Sequence, residues 1–91
     1  MDMSQAVQSA KTRADHETLA THYEDAAKQM QAKVDEHKKL LAQYEAARGL
    51  DSRRVHDLII HCQWLIRTYE QAAVENLSMA KSHREIAVQT K

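Results

Sequence analysis

Along the chain, apolar residues recur every three or four positions through two long stretches, the spacing of amphipathic helices rather than of strands. In the first stretch Ala20, Ala27, Val34 and Leu41 lie a heptad apart, at position a. Leu19, Ala26, Lys33 and Leu40 take position g, and His16, Tyr23, Met30, His37 and Tyr44 take position d. In the second stretch a is Ile59, Ile66, Ala73, Ala80 and Ala87, and g is Leu58, Leu65, Ala72, Met79 and Ile86. Position d is Val55, Cys62, Tyr69, Asn76 and His83. On a helical wheel d lies between a and g, so both helices carry polar-capable side chains along the centre of the apolar stripe.

Only ARGLDSRR, residues 46–53, reads as a break. Gly49 is expected to be a left-handed C-cap, and Asp51 or Ser52 to N-cap the next helix. The pattern predicts a helix over 15–48, a turn over 49–51 and a helix over 52–88. Residues 1–14 carry no sustained apolar stripe and are expected to be a frayed or exposed extension. A short connection between long helices makes them antiparallel neighbours. The apolar face is three positions wide, more than a two-stranded seam covers. The expected fold is therefore an all-α antiparallel helical hairpin that dimerises into a four-helix bundle. Ile60 and Trp64 form a weaker apolar patch on the far side of the second helix.

Composition agrees with this class. Of 91 residues one is glycine and none is proline, which leaves little material for turns or sheets. Thirteen basic residues balance thirteen acidic ones, so there is no electrostatic case for nucleic acid or an anionic membrane. No apolar run is long enough to span a membrane, and no signal peptide is visible. A single cysteine cannot make an internal disulfide and is left as a buried thiol, an intermolecular bridge or a metal ligand.

With the turn at Gly49–Leu50, residues whose numbers sum to 99 should face each other. The pairs are His16 with His83, Tyr23 with Asn76, Met30 with Tyr69, His37 with Cys62, and Tyr44 with Val55. This places a ladder of nitrogen, sulfur and oxygen donors in the interior, doubled in a homodimer. With both turns at one end of the dimer, His37 and Cys62 give a two-His, two-Cys set, and His16 and His83 a four-His set. With the turns at opposite ends, His37 and Cys62 meet Tyr23 and Asn76 of the second copy. Thiolate, imidazole and thioether suit Cu(I), and thiolate with imidazole also suits Zn(II). Met30, in the layer next to His37, tilts the expectation towards copper, with zinc as the alternative. The competing reading is a structural or protein-interaction module whose buried polar residues only set register. His22, His56 and His61 fall on or near polar faces. Non-covalent haem between His16 and His83 is a weaker third reading.

Other chemistries lack their residues. No histidine has Glu three positions before it, against the ferritin-like di-iron class. There is no His-Glu-x-x-His, Cys-x-x-Cys or phosphate loop. A regular bundle offers Cys62 neither cleft nor oxyanion hole, so enzyme activity is not expected. HYEDAAK, QYEAAR and TYEQAAVEN repeat one solution, with Tyr at d and Glu at its edge. Glu24 and Glu70 then flank the core, placed to pair with a neighbouring Lys or to accept from a histidine.

The blocks DHETLATHYEDAAKQMQAKVDEHKKLLAQYE and HCQWLIRTYEQAAVENLSMAKSHREIA resemble small, largely uncharacterised His-bearing four-helix-bundle proteins of bacteria. That resemblance covers most of the chain and implies an exported, periplasmic protein that handles metal, with copper as the ion. It assigns no activity to any residue.

Overall fold

The computed structural model describes residues 2–49 and 52–90. It contains three helices, α1 (Met3–Ser9), α2 (Arg13–Ala46) and α3 (Ser52–Gln89), and no strand among the described residues. Contacts divide the chain into two compact units, one of residues Met1–Ala27 with Val74–Lys91 and one of Lys28–Ala73.

The second of these units holds the connection. Its parts of α2 and α3 pack side by side around Val34, Cys62 and Ile66, with Leu40, Leu41 and Tyr69 closing over them. Val55, Ile59 and Ala73 are also buried, so the deepest line in this unit is largely position a. The expected left-handed cap at Gly49 is not formed: no glycine among the described residues has positive φ. The end of α2 tightens instead. The amide of Ala47 donates to the Tyr44 carbonyl at 3.1 Å and that of Arg48 to the Glu45 carbonyl at 3.4 Å. Three-residue bonds of this kind satisfy the last carbonyls without a reversal of φ. Asp51, the other expected cap, lies outside the described residues.

The first unit is built on small side chains. Leu19, Ala20, Ala27, Ala80 and Ala87 are its buried residues, and the alanines let helix backbones approach closely. Residues 3–9, expected to be an extension, form the short helix α1. Asp2 caps it by accepting from the Gln5 amide at 3.3 Å, but none of its residues is buried. Helix α1 ends at Ala10, whose backbone is extended (φ −69°, ψ 118°). A reciprocal pair then starts α2. The Thr12 amide donates to the Asp15 carboxylate at 3.0 Å, and the Asp15 amide donates to the Thr12 hydroxyl at 3.1 Å. This is the logic of a capping box, with Asp in the place of the usual Glu. The Lys11 amide adds a third bond to Asp15, and such backbone donors hold its carboxyl below the usual carboxylate range.

Candidate functional site

In the unit of residues 28–73, position d brings His37 of α2 and Cys62 of α3 together, as their numbers predict. The Cys62 sulfur lies 3.9 Å from His37 Nδ1. Its thiol also donates to the His37 carbonyl at 3.0 Å. Cys62 is buried, and burial pushes its thiol pKa up, so the sulfur is protonated at neutral pH. The His37 ring stacks on Tyr69, centroids 5.4 Å apart at 18°. Met30 belongs to this same unit and is half-buried.

The unit of the two chain ends repeats the arrangement with different donors. His16 of α2 and His83 of α3 face each other with their Nδ1 atoms 3.2 Å apart. Their rings are stacked at 5.4 Å and 21°, and Tyr23 stacks on His83 at 5.7 Å and 7°. Burial, and then the nearness of His16, hold the His83 pKa below the ordinary imidazole value. Next along both helices, Arg84 clamps Glu24 with two bonds, Nη2 to Oε1 at 2.6 Å and Nε to Oε2 at 3.2 Å. The edge carboxylate Glu24 thus pairs with an arginine across the two helices, in an exposed bidentate clamp beside Tyr23 and His83.

Each tyrosine stack is a diagonal between neighbouring layers. Tyr23 lies over His83, and Tyr69 over His37, whereas the pairing by number set them opposite Asn76 and Met30. Helical side chains lean towards the N-terminus of their own helix, so a long ring at d falls between two partner layers. The spacing of seven shows which residues share a line but says nothing about that lean.

The remaining histidines stand apart from both pairs. His56 and His61 are exposed, His61 meeting Trp64 edge-on at 5.3 Å. His22 is half-buried with its edge towards Tyr23 at 5.9 Å. Among the described residues no three His, Cys, Asp or Glu side chains converge on one point. One chain therefore offers donors in twos, imidazole with thiol in one unit and imidazole with imidazole in the other. No helix among the described residues is long and apolar enough to cross a membrane.

No protein-family model matches the chain, and no similar curated protein or solved structure was found.

Proposed function

We propose that this chain binds a transition-metal ion, copper as Cu(I) in first place and zinc as the alternative, for storage, transport or sensing. The ligands are His37 and Cys62, then His16 and His83, with Met30 as a further soft donor. The site is completed inside a homodimeric four-helix bundle. The observation that carries this reading is the meeting of His37 Nδ1 and the Cys62 sulfur at 3.9 Å, from two different helices. A thiol and an imidazole at that range form one edge of a soft-metal site.

The chain's own residues divide the work. Cys62 supplies sulfur once its proton leaves, and its bond to the His37 carbonyl is given up at the same time. Tyr69 holds the His37 ring by stacking. Two donors are too few for a closed site, so a second copy brings the rest. Position g of α3 is where it docks: Leu58 and Leu65 are 45% and 40% exposed in one unit, Met79 and Ile86 45% and 41% in the other. Beside them the d side chains Tyr69 and His83 are only half-buried, so a partner can meet that line there, whereas Cys62 itself is covered. Binding rather than catalysis is the role.

Reduced, metal-free protein is titrated with Cu(I) and with Zn(II) against a competing chelator, as wild type and as Cys62→Ala. Tight stoichiometric binding lost in the variant is expected. Binding no stronger than that of an isolated surface histidine overturns the reading.

One observation favours the second reading, an interaction module. Among the described residues no polar or charged side chain is buried and no buried side-chain nitrogen or oxygen lacks a hydrogen-bond partner, so no orphaned interior atom calls for an ion. On that reading a chelator leaves the melting temperature unchanged, whereas a bound ion raises it by mass action.

A further inference from the structure

We infer that the two donor pairs take different ions, and that His16 with His83 is a nitrogen-only site for a divalent cation of the zinc class. This rests on the metal reading above and adds a second chemistry to it. The distinction begins with the donors. The chain's single cysteine lies in the unit of residues 28–73, so the unit of the two ends has no thiolate to offer. Imidazole serves borderline divalent ions, whereas thiolate and thioether select Cu(I).

Geometry points the same way. Two nitrogens bound to one tetrahedral zinc at about 2.0–2.1 Å lie about 3.3 Å apart. The Nδ1 atoms of His16 and His83 are 3.2 Å apart. That spacing is the edge of a tetrahedron; in the metal-free pair one ring donates to the other across it, and that proton leaves and the rings turn as an ion enters. An ion holding these two nitrogens in a straight line would need them about 4 Å apart at the same bond length. The thiol pair, at 3.9 Å, is the more open one. The histidine pair is also held in place from outside. Tyr23 stacks on His83, and the Arg84–Glu24 clamp joins the residues that directly follow those two rings. A fixed edge lowers the ordering cost of binding and favours the ion whose geometry matches it. Met79 precedes His83 by one helical turn, but its uncharged thioether is a poor partner for a divalent ion. The same two histidines of a second copy supply the other two corners, giving four imidazoles.

Cobalt(II) is the probe, because it reports its ligands by absorbance and occupies zinc sites. Metal-free protein is titrated with Co(II), then challenged with Zn(II), as wild type, Cys62→Ser, Met79→Leu, His83→Ala and His83→Gln. Circular dichroism establishes that each variant is helical, and His83→Gln preserves bulk where alanine does not. The expected result is a set of tetrahedral visible bands without sulfur-to-cobalt charge transfer, bleached by Zn(II). The bands persist in Cys62→Ser and Met79→Leu and vanish in both His83 variants. A charge-transfer band that is lost in Cys62→Ser overturns the inference. So does loss of the visible bands in Met79→Leu. If Co(II) and Zn(II) fail to bind while Cu(I) binds through Cys62, the division of ions is wrong and the copper reading stands. If no ion binds, both fall.

Discussion

Cys62 is 4% exposed and its thiol already donates to the His37 carbonyl, so two barriers stand between it and any reagent. Access is closed, and burial has raised the pKa, which starves the thiolate that does the chemistry. In the metal-free protein alkylation at neutral pH should run at least about tenfold slower than in the unfolded chain. Equal rates in native and denaturant-treated samples would show that the helices do not cover the sulfur. His83 differs, since its perturbation enters the pH dependence of folding. Its folded pKa is depressed, so the unfolded chain binds more protons below the ordinary histidine value of about 6.5. The contribution is whole above that pH and is lost as pH falls through the lowered folded value. The melting temperature should therefore drop on acidification below about pH 6.5, and His83→Gln should flatten that limb. An unchanged limb in the variant would assign the acid sensitivity to other groups.

At the scale of the helices, the heptad pattern carried most of what the structure contains. The lines of Ala20, Ala27 and Val34 and of Ile59, Ile66, Ala73, Ala80 and Ala87 are the buried ones. The d pairs His16–His83 and His37–Cys62 meet as their numbers predict. What escaped was local hydrogen-bond chemistry. Thr12 and Asp15 have the spacing of a capping box, but an exposed start carries no apolar signal, so the pattern begins the helix at Asp15 and misses the cap at Thr12. Gly49 escaped for the opposite reason. Glycine after a helix usually means a left-handed cap, yet here the carbonyls are closed by shorter bonds. Gly49 thus has no need of its freedom, and a Cβ placed there meets nothing within 4 Å. Gly49→Ala should stabilise the protein by about 0.5 kcal/mol, raising the melting temperature by about 3 °C, because it restrains the unfolded chain. A loss of stability would mean that the turn does require glycine.

For the molecule as a whole, the pattern of apolar residues left over is as telling as the core. The apolar face was expected to be wider than one hairpin covers, and Leu58, Leu65, Met79 and Ile86 at position g of α3 are each two-fifths exposed or more. A sequence shows that a residue is apolar but not which neighbour will cover it, and the width of the apolar face is its one hint of a second copy. If the proposed dimer forms, sedimentation should give about twice 10.4 kDa, and the melting temperature should rise with protein concentration. Leu65→Glu should remove both effects, because a charge cannot be buried there without a partner. A monomer at every concentration would reject the four-helix bundle.

The chain's one tryptophan is 57% exposed and stands edge-on to His61. In the heptad frame Trp64 lies on the face of α3 roughly opposite Cys62, so as a fluorophore it looks out on water. Its emission should be solvent-like in colour. Such an optical signal reports the far face of α3, and a binding curve drawn from it would describe that surface. Ligand binding at His37 and Cys62 has to be followed through the sulfur and the imidazoles themselves.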